Sequence, residues 1–122
     1  MAWDFDPKLP VTLQIEQRRR SDIVSGKYAP GSQFPAVRQL AQDAAVNPNT
    51  MQKALANLEA EGLLLSRGTV GRFVTADTAV LESTLQHIRQ EYLESMYQHA
   101  VKLGITKDMF MAYMTDQFTE RS

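Results

Sequence analysis

The sequence predicts a mainly α chain that closes on one small β-hairpin and then resumes as two further helices, and three observations predict it. Val46 to Gly62 ("VNPNTMQKALANLEAEG") opens on a capping signal and repeats its apolar residues at the helical period. "LLLSR" and "RFVT" read as short strands around Gly68-Thr69-Val70-Gly71, a hairpin signal. From Leu81 onward, apolar residues recur at helical spacing as far as Phe118. Residues 1–75 are therefore expected to form a compact head, and residues 76–122 a tail that is a two-helix hairpin.

Taken in order, Pro10 to Gly26 ("PVTLQIEQRRRSDIVSG") is a first helix, with Val11, Ile15 and Ile23 on its apolar side and Gly26 as its stop. "KYAPGSQFP" is a loop, because Pro30-Gly31 is a turn dipeptide and Pro35 bars helix before it. Ala36 to Ala45 is a short second helix that turns Val37, Leu40, Ala41 and Ala44 inward. The third helix begins within a few residues. Asn47 suits its N-cap, since the side-chain oxygen can accept from a free backbone N–H of the first turn, and Pro48 suits N1, where a missing N–H is no loss. Met51, Leu55 and Leu58 form its core face, and Gly62 supplies the residue that ends it.

The opposite face of that helix is unusual. Asn49, Gln52, Lys53 and Ala56 lie at i, i+3, i+4, i+7, so the face carries amides and one cation; Glu59 and Glu61 come only in the last turns. For the helix dipole alone this order is backwards, because acids favour the N-terminus and cations the C-terminus. A tip kept free of acid and furnished with amides suits something anionic in front of it.

Composition narrows the function classes. The 122 residues are 43% hydrophobic and 22% charged, an ordinary globular balance for one modest domain with an appendage. No run approaches the ~20 apolar residues of a membrane span, and the start has no basic and apolar signal segment, so no membrane partner and a cytoplasmic location are expected. The chain has no cysteine, which excludes disulfides and thiolate chemistry, and its two histidines, His87 and His99, are spaced for no metal. Without a phosphate loop or clustered carboxylates, no convergent catalytic set exists, and neither enzyme activity nor a cofactor is expected. The net charge of −1 argues against a strongly basic nucleic-acid binder, but it divides unevenly. Residues 1–75 hold nine Lys/Arg against seven acids, the remainder four against seven, so the cations gather in the half that carries the unusual helix tip.

Three helices and a hairpin, with a tight turn between the second and third helices, is the order of a winged helix-turn-helix, whose third helix enters a DNA major groove by its N-terminal end. The residues "APGSQFPAVRQLAQDAAVNPNTMQKALANLEAEGLLLSRGTVGRFV" also resemble, at many fixed offsets at once, the DNA-binding domain of GntR-type bacterial transcription regulators. The resemblance runs from about Pro10 to Val74. The Asn-Pro-Asn-Thr tip and the short stretch of chain after the wing further resemble the YtrA-like branch, whose members lack a large effector domain. The resemblance implies a homodimeric, sequence-specific DNA-binding transcription regulator that represses by occupying an inverted-repeat operator of double-stranded DNA.

Three residues depart from the family pattern. Ala36 stands where a serine usually opens the second helix. Arg19 occupies a usually apolar position of the first helix, from which it would either snorkel to the surface or meet an acid of a partner subunit. The wing, usually Gly-x-Gly-Thr-Phe-Val, reads Thr69-Val70-Gly71-Arg72-Phe73-Val74.

On this reading the DNA-facing side chains are Asn49, Thr50, Gln52 and Lys53, with Asn47 shared between capping and a phosphate. The family's second-helix arginine, which contacts DNA, is matched by Arg38, and Arg67, Thr69 and Arg72 flank the hairpin turn within reach of backbone or minor groove. Each has a plainer alternative: Asn47 as cap alone, and Arg38, Gln52 and Lys53 as solvated surface. Arg18-Arg19-Arg20 has the look of a basic patch, yet a first helix lies behind the groove.

In the tail, Leu81, Leu85, Ile88, Tyr92, Met96, Ala100 and Leu103 form one helical stripe that Gly104 ends. Thr106 then caps a second helix, with Asp108 in its first turn and Phe110, Tyr113, Met114 and Phe118 on one side. These residues either fold back on the head or pair with the same helices of a second chain. Pairing is favoured, because a two-fold operator needs a dimer. The expected interface is Leu81, Leu85, Ile88, Tyr92, Met96, Phe110, Tyr113, Met114 and Phe118, and an unidentified small-molecule effector between subunits stays open. A winged-helix module that binds protein and not DNA is the rival reading, for which an apolar or acidic third helix would be the sign.

Overall fold

Helical structure begins at Val11, after a segment that turns at residues 7–9, where the Leu9 N–H donates to the Asp6 carbonyl (3.2 Å). In a computed structural model, which describes residues 3–121 with the side chain of residue 121 excepted, the elements run in the order α1 (Val11–Val24), α2 (Val37–Ala44), α3 (Pro48–Ala60), β1 (Leu64–Ser66), β2 (Arg72–Val74), α4 (Thr78–Lys102) and α5 (Lys107–Arg121). This is the mainly helical, winged helix-turn-helix order with C-terminal helices that the sequence predicts. Residues up to Gln86 form one compact unit and those from His87 a second.

In the first unit α3 is the hub, packed by α1, α2 and β1. Its Met51, Ala54, Leu55 and Leu58 are wholly buried, among Ile15 and Ile23 of α1, Leu40 and Ala44 of α2, and Leu63, Leu64 and Val74 around the hairpin. Burying each such large side chain contributes about 1.5–3 kcal/mol. Val11, expected on the apolar side of α1, is 38% exposed; the first turn of that helix lies beyond the core. The turn from α2 to α3 is Ala45-Val46-Asn47, and Ala45 adopts a left-handed conformation (φ 56°, ψ 48°) that closes α2 through N–H bonds to Ala41 and Gln42. Ala36 sits at the N-cap of α2 without a side-chain hydrogen bond. Gly62, at φ +83°, lets the chain leave α3 in a turn that a β-carbon would strain.

The hairpin pairs Leu64 with Val74, Leu65 with Phe73 and Ser66 with Arg72, and a 3₁₀ turn at Gly68–Val70 joins its strands. Residues 27–35, expected as loop alone, add a β-bridge between Gln33 and Phe73. The Phe34 N–H donates to the Arg72 carbonyl (2.8 Å), and the Val74 N–H to the Ser32 carbonyl (2.8 Å). The turn at Pro30-Gly31 returns the chain alongside β2, and the hydrogen bonds result from that placement.

The boundary expected after residue 75 falls before the turns of α4 that belong to the first unit, and Leu81 is buried there. In the second unit α4 ends at Lys102, Gly104 turns the chain at φ +68°, and the Met109 N–H donates to Thr106 Oγ1 (3.2 Å) at the start of α5. Among the described residues α4 and α5 do not pack against one another along their length. An apolar groove of about 380 Å³ remains, lined by Leu93, Met96, Tyr97, Val101, Ile105 and Phe110 among others.

Candidate nucleic-acid interface

The N-terminal tip of α3 is built from short polar side chains. Asn47 has extended backbone angles, and its Oδ1 accepts the N–H of Asn49 at 2.8 Å. Pro48 comes next at N1, where it has no N–H to satisfy. The Asn47 carbonyl accepts from Met51 (3.1 Å), whereas the N–H of Thr50 has no partner among the described residues. With the first turn free of acid, the tip combines the positive end of the helix with one donor and the exposed amides of Asn47 and Asn49.

One turn on, Gln52 and Lys53 are exposed, and Ala56 leaves the next turn of that face shallow. Gln52 does not stand alone. It shares a hollow of about 300 Å³ with Gln33, Ala36 and Val37 before and in α2, and with Gly68, Val70 and Arg72 of the wing. The structure thus brings the start of α2, the polar face of α3 and the wing to one place. The Gln33 Nε2 donates to the Val70 carbonyl (2.7 Å) and so ties the segment before α2 to the wing tip. Arg38, at the second position of α2, is exposed.

The wing cations divide in their use. Arg67 is exposed and lies over the Phe73 ring at 4.7 Å from its centroid, and Thr69 is exposed in the turn. Arg72 is engaged within the protein: its Nε donates to Glu59 Oε1 and its Nη1 to Gln52 Oε1 (3.1 Å), with its side chain only 13% exposed. Glu61, the other acid of the last turns, receives Arg20 of α1 through two bonds of 2.8 and 2.7 Å. The two glutamates that run against the helix dipole are therefore partners of arginines on neighbouring elements. The sequence signal for this was their position at the wrong end of α3, but the partners are 13 and 41 residues away.

The arginines of α1 likewise have partners within the chain. Arg18 and Arg19 flank the Trp3 ring at 4.2 and 4.5 Å, and Arg19 is 4% exposed. Its Nη1 reaches Asp22 at 3.5 Å, while its Nε has no hydrogen-bond partner among the described residues. Burial, only partly offset by Tyr28, Asp22 and Asp43, pulls this guanidinium below its ordinary pKa. Of the two alternatives for Arg19, snorkelling to the surface does not occur, and the acid beside it belongs to its own helix.

In the tail, Tyr92, Tyr113 and Phe118 are 70%, 63% and 67% exposed; Leu85, Ile88, Met96, Phe110 and Met114 are half-buried, and Leu81 closes the first unit.

The family model of bacterial regulatory proteins of the gntR family matches residues 11–74. Among curated proteins, the chain is 29% identical over 104 residues to the HTH-type transcriptional regulator YhcF of Bacillus subtilis, covering 85% of this chain and 86% of the relative. It is 32% identical over 91 residues to the HTH-type transcriptional repressor YtrA of the same organism, covering 71% and 70%. Among solved structures, a GntR family transcriptional regulator from Listeria monocytogenes superposes with a TM-score of 0.82 at 31% identity, over 92% of this chain and 98% of that one. The AraR DNA-binding domain, in complex with operator ORX1, superposes with a TM-score of 0.57 at 30% identity, over 62% and 95%.

Proposed function

As a member of the gntR family of bacterial regulatory proteins, and of its YtrA-like kind, the chain is a DNA-binding transcription regulator, and we propose that it acts as a cytoplasmic homodimer that represses by occupying an inverted-repeat operator. The observation that carries this reading is the tip of α3: an acid-free N-terminus with an open N–H and exposed amides, set beside the wing and the start of α2. Asn47, the Thr50 N–H and Lys53 hold phosphates; Asn49, Thr50 and Gln52 face base edges; Arg38, Arg67 and Thr69 add backbone contacts. No catalysis is assigned to this surface. The protein-binding alternative loses support because the face is amide-rich and cationic, where a protein-docking face would be apolar or acidic.

Dimerisation rests on the tail, whose apolar residues remain uncovered in a single chain. A two-fold dimer places two α3 tips on half-sites about one helical turn of DNA apart. An unidentified small-molecule effector would act in the same apolar groove, by changing how two tails fit. No helix among the described residues is long and apolar enough to cross a membrane.

Selection of bound duplexes from a random pool by the purified protein, with the winner titrated across salt, tests this reading. An inverted repeat bound as a dimer, with affinity that falls steeply with salt, is the expected result. A single unrepeated site, or binding without sequence preference, refutes it.

A further inference from the structure

Arg72 stands in the wing where the family pattern has a threonine, and its side chain lies against α3. A guanidinium carries five N–H donors and no acceptor, so the atom of Gln52 that faces Arg72 Nη1 at 3.1 Å is the carbonyl oxygen. Glu59 holds the same guanidinium by its Nε, and the Glu59 and Arg72 side chains are 29% and 13% exposed. The chain Glu59, Arg72, Gln52 therefore runs along one side of α3 and ends on an amide whose orientation is fixed. The other prong of that amide, Nε2 with its two N–H groups, has no partner among the described residues, and Gln52 is exposed.

A free glutamine reads adenine by accepting from N6 while donating to N7. With its oxygen engaged by a cation, Gln52 is a poor acceptor. The oxygen keeps a second lone pair, but an amino group approaching it meets the positive charge and N–H groups of Arg72 beside it. What remains is a pair of donors, and the base edge that offers two adjacent acceptors in the major groove is guanine, through O6 and N7. We infer that Arg72 is a positioning residue that makes Gln52 a donor-only reader, so that the base pair facing Gln52 in each half-site presents guanine and not adenine. The inference rests on the reading that α3 enters the major groove by its N-terminal end.

Selection from the random duplex pool, run with the full chain and with Gln52→Ala, Arg72→Met and Arg72→Lys, tests it. Gln52→Ala is expected to flatten one position per half-site, and the unchanged protein to prefer guanine there over adenine by about tenfold. Arg72→Met frees the carbonyl and is expected to move that single position toward adenine; Arg72→Lys, which still donates, is expected to keep guanine. A purely structural loss weakens every sequence alike and shifts no position. Adenine at the Gln52 position of the unchanged protein, no flattened position in Gln52→Ala, or an unmoved preference in a folded Arg72→Met each overturns the inference. If Arg72→Met does not fold, the base identified by comparing the unchanged protein with Gln52→Ala decides. An enriched operator with adenine at that position overturns this inference alone, whereas no enrichment by the unchanged protein overturns the operator reading and this inference with it.

Discussion

The unit up to Gln86 and the unit from His87 handle apolar surface in opposite ways. In the described chain every buried residue lies at or before Leu81, whereas from Tyr92 to Phe118 ten large apolar side chains stand 38–75% exposed. In the first unit α3 is enclosed by α1, α2 and β1; in the second, α4 and α5 leave a groove open and do not pack along their length. A helix draws most of its stability from the burial of an apolar face, and uncovered patches of this extent mark surfaces that meet something else. The first unit is thus stable by its own packing. The apolar side chains of the second stay exposed within a single chain.

The largest expected effect comes from charging the tail. Tyr92→Asp together with Tyr113→Asp alters two exposed rings and leaves the core of the first unit untouched. Sedimentation should show a monomer, and operator affinity should fall by about 10²–10⁴-fold, because two half-sites no longer share one linked reader. A dimer that survives both charges breaks the contrast between the units.

Next in size is Leu55→Ala, in the wholly buried centre of α3. A loss of about 3 kcal/mol is expected, since removal of a core leucine forfeits its transfer energy and leaves a cavity. Urea unfolding in the monomeric Tyr92→Asp/Tyr113→Asp background measures it without the dimer equilibrium. Tyr97→Ala in that background should change stability by less than about 0.5 kcal/mol. A comparable loss for both would mean that the tail is packed after all.

Arg19 offers a smaller effect of opposite sign. Its charge is buried beneath Trp3, with an Nε–H that has no partner among the described residues and only a 3.5 Å approach to Asp22, which also has Lys27 at 3.7 Å. Arg19→Leu should therefore stabilise the first unit by about 1–3 kcal/mol, as replacement of poorly compensated buried charges often does. A lowered melting temperature would mean that the guanidinium contact with Trp3 outweighs its desolvation.

What the sequence made legible is what local physics decides. The α3 cap at Asn47-Pro48, the glycine after its end, the wing strands and the Thr106 cap each depend on a few neighbouring residues, and each lies where its pattern put it. Arg19 could be singled out as misplaced, but its enclosure by Trp3 required a turn at residues 7–9 that brings the N-terminal segment back over α1. The pairing of Arg72 with Glu59 and Gln52 was hidden for the same reason. A wing arginine and a helix glutamate each read as solvated, or as bound for DNA, until the hairpin register places Arg72 opposite Ser66 and within reach of α3. The bridge at Gln33 is likewise a consequence of tertiary placement in a segment rich in turn residues. Local sequence thus indicated which residues are unusual, and long-range packing determined what they do.

The smallest effect on stability, and the sharpest separation of stability from function, is expected at Asn47. Aspartate caps a helix as well as asparagine does, since its carboxylate can take the Asn49 N–H in the same geometry, and it adds a negative charge at the positive end of α3. By the dipole alone, Asn47→Asp should stabilise the first unit by about 0.3–1 kcal/mol. The same carboxylate would face phosphate oxygens in the proposed complex, so operator affinity should drop about tenfold at low salt, with the loss shrinking as added salt screens the repulsion. Opposite signs in unfolding and operator titrations are what an acid-free tip predicts if its reason lies in the DNA. If both rise together, the amides serve the helix only and phosphate binding must be sought on the wing.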